Sequence, residues 1–230
     1  MAIWESRGNA QKLGAALTVL SRTEYWASGP VAALAAAERA VDVLGPLGPS
    51  TELAAALRDV ARTHAFGDHH EEAIAAAAES RELATSLGEE SLVSPALLYE
   101  TSAQMRSGRP NGEANLMRSL ELADNLGHAE YSARGCVNIT AAMLSVDRIP
   151  EAYDIFRRGM AKAQDHELYS QLFRLRSLQS QLDLYLGNWE EAAGYLERMV
   201  TPAASVGIIE CMPLAVLGCI KLRTGNDGAT

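Results

Sequence analysis

The chain has 230 residues, of which 48% are hydrophobic and only 6% aromatic, and its formal net charge is −9. Alanine and leucine supply most of the apolar content and β-branched residues form no alternating run, so the composition predicts an all-helical protein. The 20 basic residues are scattered among 29 acidic ones, which argues against direct nucleic-acid binding because that requires clustered Lys and Arg.

Turn signals recur along the chain in two series. In the first, the breaks precede Glu-Ala or a similar opening at intervals of 38, 41, 39, 40 and 38 residues: Gly29, Gly67, Gly108, Asp147, Gly187 and Gly225. The second series has intervals of 40, 40, 39, 39 and 41 residues: Gly8, Gly48, Gly88, Gly127, His166 and Gly207. Two interleaved series with a period of about 40 residues predict a repeated helix–turn–helix unit.

The breaks divide the chain into predicted helices. A short helical tail (1–7) is followed by five helix pairs and one unpaired helix: 9–45, 50–87, 89–126, 128–165, 167–206 and about 208–224. In 167–186 the apolar residues recur every three or four positions, which is the spacing of one helical face. Because a single helix pair cannot bury its own apolar face, neighbouring pairs are expected to stack into one curved solenoid domain over 1–230.

The alanine of the recurring Glu-Ala opening predicts where two helices cross. It occupies Ala73, Ala114, Ala152 and Ala192. A bulky side chain at a close crossing would hold the helices apart, so each of these alanines is expected to be buried against the neighbouring helix.

The last predicted helix is apolar nearly all round, and the turn-like sequence TGNDGAT follows it. Solenoids usually finish with a helix whose outer face is polar. The sequence therefore predicts that the chain is a fragment of a longer protein, and that the exposed apolar face of this helix drives self-association or fraying.

The cysteines and the hydrophobic segments predict a cytoplasmic location. Cys136, Cys211 and Cys219 show neither a metal-site spacing nor a paired framework, as expected in a reducing compartment. The N-terminal MAIWESRGNA lacks the apolar core of a signal peptide, and stretches such as CMPLAVLGCI are too short to span a bilayer. We therefore expect a soluble protein without membrane contact.

The helix pair of about 40 residues resembles the tetratricopeptide class in an elongated form. Several phrases, among them PSTELAAALRDVARTHAFGDHHEEAI, LMRSLELADNLGHAEYSARGCVNITAAM and GNWEEAAGYLERMV, resemble the helical region of large ATP-dependent LuxR-family transcriptional regulators. This likeness runs over essentially the whole chain. It implies a tetratricopeptide-like α-solenoid that acts as a non-catalytic scaffold for inducer sensing, protein–protein interaction and self-association.

Such regulators carry an N-terminal P-loop ATPase module and a C-terminal helix-turn-helix that binds DNA. The chain contains neither a G-x-x-x-x-G-K-[ST] motif nor a basic recognition helix, so the resemblance transfers no ATP-binding or DNA-binding residue. Two alternatives remain open, a free-standing adaptor that binds peptides and a regulatory segment of an ATPase or nucleotide cyclase. A downstream DNA-binding domain would exclude the adaptor.

The segment HAFGDHHEE is the one cluster whose residue types could suggest a metal-binding site. His64 and His69 lie on either side of a glycine turn, and His69 and His70 are adjacent, whereas ligands on one helix are expected four residues apart. The run is therefore predicted to be a solvated turn. The paired glutamates at 71–72 and 190–191 recur with the repeat and suit helix N-termini, so no catalytic residue, metal or cofactor is predicted.

Polar and aromatic residues on the first helix of several pairs do not fit the repeating apolar face. In the tetratricopeptide arrangement these helices line the concave surface, and Arg and Tyr favour recognition because they combine burial with directional hydrogen bonds. We predict that seven such residues line a groove for a protein or peptide partner or a small inducer: Tyr99, Arg106, Tyr131, Arg134, Asn138, Arg174 and Gln179.

Overall fold

The structure is a computed structural model that describes residues 4, 8–110, 112–199 and 208–225. These residues form eleven α-helices and no strand. The helices are α1 (Ala10–Ala27), α2 (Pro30–Leu44), α3 (Thr51–Phe66), α4 (His70–Ser86), α5 (Glu90–Arg106), α6 (Gly112–Asn125), α7 (Ala129–Leu144), α8 (Ile149–Asp165), α9 (Tyr169–Leu186), α10 (Trp189–Met199) and α11 (Ile208–Thr224). A short 3₁₀ helix, Gly45–Leu47, follows α2.

The described helices lie within the ranges of the predicted pairs. The first helices of the pairs are α1, α3, α5, α7 and α9, and the second helices are α2, α4, α6, α8 and α10. The helix predicted near 208–224 is α11. Trp4 is helical, while the rest of the predicted tail over 1–7 and the end of the fifth pair beyond Met199 lie outside the described residues.

A left-handed backbone residue marks each turn that the structure describes. Nine of the predicted breaks adopt φ between 58° and 98°: Gly8, Gly29, Gly48, Gly88, Gly108, Gly127, Asp147, Gly187 and Gly225. At two others the left-handed residue comes one position later, because Asp68 has φ 60° and Glu167 has φ 54°. Gly207 lies outside the described residues. The period of about 40 residues therefore reflects the regular recurrence of left-handed backbone residues, which end the helices.

Side-chain caps define the beginnings of several helices. The Oδ1 atom of Asn9 accepts a hydrogen bond from the Lys12 amide at 3.0 Å, and the Oγ atom of Ser50 accepts one from the Leu53 amide at 3.2 Å. Pro30 opens α2, where its missing amide hydrogen costs no helix bond. Asn9 and Ser50 thus satisfy amide groups that the first turn of a helix leaves without a partner.

The chain divides into two compact units, 1–131 and 132–230. In the first unit α3 packs against α1, α2, α4 and α5, so helices surround it, whereas α2 and α4 pack mainly against first helices. No residue of α3 from 52 to 66 is exposed, and none of α5 from 92 to 105. The first helices of this unit are therefore its interior. The prediction of one domain over 1–230 stays a prediction.

Small residues allow the close helix crossings, with one correction to the sequence prediction. Ala73, Ala152 and Ala192 are buried, with exposed fractions of 0% to 1%, as predicted. Ala114 is exposed instead, and the buried residue of that pair is Gly112. The segment that leads into α6 has the sequence RPNGEA, whereas the one that leads into α4 has HHEEA. The crossing position in α6 therefore falls two residues before the Glu-Ala alanine.

In the second unit, α9 packs against α8 and α10, and α11 packs against both α9 and α10. The core beneath α11 consists of Ala192, Leu196, Val216, Leu217 and Ile220. The α11 helix is therefore covered on one side by the fifth pair. No helix among the described residues is both long and apolar enough to cross a membrane.

Candidate functional site

Buried polar side chains are concentrated on the first helices. Seventeen polar or charged residues are buried in the described part of the chain, and all but Ser80 and Ser119 lie on first helices. A helix that served only to fill a core would bury apolar side chains instead. The inner helices therefore carry a polar interior, and its charged part lies on α3.

Arg58 and Asp59 form a buried ion pair on α3. Arg58 has an exposed fraction of 7% and Asp59 of 1%. The Nε and Nη2 atoms of Arg58 both donate to Oδ1 of Asp59, at 3.1 Å and 2.9 Å. The second carboxylate oxygen, Oδ2, has no hydrogen-bond partner within the described residues. Burying a polar atom without a hydrogen-bond partner costs free energy, and packing alone does not explain it. Asp59 is therefore a candidate functional residue.

Arg62 lies one helical turn after Arg58 and is also buried. Its Nη2 atom is 3.5 Å from the hydroxyl of Ser21 on α1, and its Cζ atom is 5.6 Å from the centroid of the Tyr25 ring. Its Nε atom has no hydrogen-bond partner in the described chain. Arg62 is thus held by a hydroxyl and an aromatic face, neither of which neutralises its charge.

Aromatic residues connect these arginines to α5 and to the start of α7. The rings of Tyr25 and Phe66 are 5.3 Å apart, and those of Phe66 and Tyr99 are 6.2 Å apart. Burial lowers the pKa of Arg58, but the attraction of Asp59, then of the phenols of Tyr131 and Tyr99, outweighs burial and raises it overall. The predicted groove residues Tyr99 and Tyr131 therefore lie within electrostatic range of Arg58.

We call Ser21, Tyr25, Arg58, Asp59, Arg62, Tyr99 and Tyr131 the inner polar cluster. Its two guanidinium groups and one carboxylate leave one positive charge without an opposite charge inside the cluster. The unpartnered Nε of Arg62 is a donor and the unpartnered Oδ2 of Asp59 is an acceptor. This arrangement suits recognition of a polar group that carries negative charge.

Arg58, Asp59 and Arg62 are not among the residues predicted from the sequence. A signal for them exists in LAAALRDVARTHAF, where three charged side chains interrupt an apolar helix. Charges inside a segment of this kind usually mark either a solvated face or a buried network. Only the packing of α1, α2, α4 and α5 around α3 decides that this is a buried network.

Arg106, another predicted groove residue, lies at the end of α5 and is exposed. Its Nη1 atom donates to the carbonyl oxygen of Ala65 at 3.1 Å, and its Nη2 atom forms an ion pair with Asp68. A second ion pair joins Arg109 to Glu71. Arg106 thus connects the last turn of α5 to the turn after α3, and its role in partner binding stays a prediction.

The remaining predicted groove residues lie in the second unit. Arg174 on α9 donates from Nη2 to Oδ1 of the buried Asn138 on α7 at 3.3 Å, so the structure brings these two together. Arg134 is half-buried on α7. Gln179 lines a surface cleft between α8 and α10, away from that contact. Binding by these residues stays a prediction.

The histidine run spans the end of α3, the turn at 67–69 and the start of α4. The rings of His64 and His69 meet edge to face, with centroids 5.7 Å apart, and burial lowers the pKa of His64. No three His, Cys, Asp or Glu side chains within the described residues are placed to hold a metal ion. Cys136 is buried and Cys219 exposed, and neither forms a disulfide with a described residue, while the side chain of Cys211 lies outside the described part.

No protein-family model and no curated protein matches the chain. Among solved structures it is similar to a Rap protein complexed with competence and sporulation factor, with 16% identity, a TM-score of 0.69, and coverage of 96% of this chain and 60% of that one. It is also similar to aspartyl phosphate phosphatase F from Bacillus subtilis, with 16% identity, a TM-score of 0.64, and coverage of 83% and 50%.

A third similar structure is a signal transduction ATPase with numerous domains from Pyrococcus horikoshii, which has a tetratricopeptide repeat sensor. The identity is 12% and the TM-score 0.58, with coverage of 95% of this chain and 34% of that one. The chain therefore spans 60% or less of each of these proteins. At this level of identity the likeness establishes the fold, which is an all-α, tetratricopeptide-like α-solenoid of stacked antiparallel helix pairs.

Proposed function

We propose that this chain is the helical-repeat recognition region of a larger LuxR-like transcriptional regulator, and that it binds a peptide or a small inducer without catalysing a reaction. The observation that carries the proposal is the inner polar cluster. Its charged side chains are buried on α3 and retain unpartnered donor and acceptor atoms. Such atoms destabilise the free protein, and a ligand that hydrogen-bonds to them recovers that free energy.

The residue types of the inner polar cluster support peptide recognition. Tyrosine and arginine are the side chains that most often dominate binding energy at protein interfaces, and Arg58, Arg62, Tyr25 and Tyr99 lie on adjacent first helices. The structurally similar Rap protein is described in complex with competence and sporulation factor. That likeness concerns the fold, and it supports a regulatory binding role for the same helical architecture.

A regulatory segment of an ATPase is the second candidate. It is favoured by the likeness to the signal transduction ATPase from Pyrococcus horikoshii, in which the tetratricopeptide repeat is the sensor. Both candidates share a sensing role for the helical repeats and differ in the module that receives the signal.

Selection of peptides from a random display library on the immobilised chain tests the binding role. We expect selected peptides to bind in calorimetry and to lose about tenfold in affinity to Tyr99→Phe or Arg62→Lys, since each change removes hydrogen-bonding capacity from the inner polar cluster. Tyr153→Phe, on the exposed surface of α8, is the matched control. Enriched peptides that bind all variants equally would overturn the assignment of the site, and a selection without enrichment would overturn peptide binding.

The regulator context is tested by reading the coding DNA beyond both ends of this sequence. We expect further 40-residue units in frame, a P-loop module upstream and a helix-turn-helix downstream. A P-loop without a helix-turn-helix would favour the ATPase segment instead. A stop codon directly after Thr230 would leave the adaptor as the better description.

A further inference from the structure

Two clefts occupy equivalent places in the repeat, one in each unit. The first lies among α4, α5 and α6, and the second among α8, α9 and α10. The residues that line the second correspond to those that line the first at an offset of 79 or 80 positions, which is two repeats: Arg81 and Met160, Leu97 and Arg176, Glu100 and Gln179, Asn115 and Tyr195, Arg118 and Arg198. The charged residues that line the two clefts can therefore be compared position by position.

The first cleft contains its own counter-charge. The Nε atom of Arg81 forms an ion pair with Oε2 of Glu100 at 2.9 Å. The other carboxylate oxygen of Glu100 accepts a hydrogen bond from Nε2 of Gln104 at 3.3 Å, and Asn115 donates to Gln104 at 3.2 Å. A carboxylate of the protein thus already takes the place where an anion would bind.

The second cleft lacks that carboxylate. Gln179 stands where the first cleft has Glu100, and Arg176 stands where it has Leu97. Arg176 and Arg198 are both exposed, and neither forms an ion pair within the described residues. The cleft has a volume of about 450 Å³. In a chain whose net charge is −9, it presents two arginines and a neutral amide.

Tyr195 also lines the second cleft, and its hydroxyl is buried. The Tyr195 oxygen has no hydrogen-bond partner in the described chain, although it is shielded from solvent. The pKa of Tyr195 is raised to about 12, mainly by burial, although Arg176 and Arg198 act to lower it. Both guanidinium groups therefore lie near the phenol. At neutral pH the hydroxyl is therefore protonated and able to donate.

One carboxylate lies near this tyrosine without lining the cleft. Asp183 is within electrostatic range of Tyr195, but its Oδ1 atom accepts from Nδ2 of Asn188 at 3.5 Å. Burial raises the pKa of Asp183, and the hydrogen bond from Asn188 partly offsets that effect. Asp183 is thus directed to the turn after α9, and the arginines of the cleft remain without an opposite charge of their own.

We propose that the second cleft is an oxyanion-binding site that takes a carboxylate or a phosphate group through Arg176, Arg198 and the hydroxyl of Tyr195. Guanidinium groups match the planar oxygens of both anions and donate two parallel hydrogen bonds to each. The Tyr195 hydroxyl supplies a further donor from the buried side. Gln179 adds an amide that can donate without repelling the ligand.

Calorimetric titration of the full chain with inorganic phosphate, and separately with acetate, tests the site at low ionic strength. We expect at least one anion to bind, and Arg176→Gln or Arg198→Gln to weaken it by about tenfold or more, because each removes a charge-assisted hydrogen bond. Tyr195→Phe should weaken binding less. Binding of phosphate alone would identify a phosphorylated ligand, and binding of both anions would identify the shared oxyanion chemistry.

The internal comparison supplies two sharper variants. Gln179→Glu recreates the carboxylate of the first cleft, so we expect it to abolish anion binding without unfolding the protein, as checked by circular dichroism. Arg118→Gln removes the equivalent of Arg198 from the first cleft and should leave binding unchanged. Absence of binding by the intact chain, or equal weakening by Arg118→Gln and Arg198→Gln, would overturn the proposal.

Discussion

Gly112 shows how one residue sets the distance between two helices. A Cβ atom added at this position would lie 2.7 Å from the backbone nitrogen of Met105 and 2.9 Å from the carbonyl carbon of Gln104. The other helix pairs place alanine at the equivalent crossing. The α5 and α6 helices therefore meet backbone to backbone, and a side chain as small as a methyl group cannot be inserted without moving one of them.

Gly112→Ala should lower the free energy of unfolding by about 1–3 kcal/mol, because overpacking against backbone atoms forces a helix shift. Ala114→Leu, two residues later on the exposed side of α6, is the matched control and should change it by less than about 0.5 kcal/mol. Urea unfolding followed by circular dichroism measures both. A larger loss of stability for Ala114→Leu than for Gly112→Ala would show that Ala114 is the crossing residue after all.

Tyr195 is expected to ionise at a higher pH than an ordinary tyrosine. Its pKa in the folded chain is about 12, compared with an ordinary value of 10.0. The folded state therefore keeps the proton that the unfolded state loses, and the stability that depends on the protonated phenol decreases as the pH rises from 10 to 12. Phenolate absorbance should show a late component that Tyr195→Phe removes. A titration of the variant that matches the parent chain would contradict this.

At the level of the element, three turns use a residue other than glycine in the left-handed conformation. Glu167, with φ 54°, joins α8 to α9 and is exposed. A side chain in this conformation costs free energy that glycine avoids. Glu167→Gly should therefore raise the free energy of unfolding by about 0.5–1 kcal/mol, while Glu167→Ala, which keeps the Cβ atom, should not. Equal stabilities of the two variants would exclude backbone strain as the cause.

Substitutions in the buried ion pair of α3 test whether the pair contributes to the free energy of unfolding. Asp59→Leu leaves the guanidinium of Arg58 buried without its partner and should cost about 3–5 kcal/mol. The double change Arg58→Met with Asp59→Leu removes both charges and should cost less than the single change, since apolar groups need no counter-charge. Chemical denaturation gives both values. A double variant as unstable as the single one would show that the pair itself stabilises the fold.

For the molecule as a whole, we expect the predicted self-association to use the exposed side of α11. The outer side of α11 carries exposed small and apolar residues three or four positions apart: Ala215, Gly218, Cys219 and Leu222. Leu222 has an exposed fraction of 81%. We expect a second copy of the chain to cover this face, because burial of such a stripe against its equivalent is favourable.

Light scattering at increasing protein concentration measures this association. The parent chain should form dimers, and Leu222→Glu should remain monomeric because the carboxylate would be buried without a partner. Val31→Glu, a change at an equally exposed apolar residue of α2, should still dimerise. A monodisperse monomer at every concentration would contradict the predicted association.

The inner polar cluster was only partly predictable. Tyr99 and Tyr131 stand out in the sequence because they break the apolar pattern of their helices, and both lie within electrostatic range of Arg58. Arg58, Asp59 and Arg62 do not stand out, because a charged residue in a helix is usually solvated. Their burial follows from contacts with helices whose sequences lie up to about 40 residues away, as for Arg62 and Ser21.

The sequence by itself determined the helical class, the period and the turn positions, since these depend on local composition, helical periodicity and the residues that end a helix. The tertiary structure decided which small residue stands at each crossing, which charges are buried, and which of two equivalent clefts keeps its arginines free of a carboxylate. Those properties depend on distances between helices, and side chains far apart in the chain determine such distances.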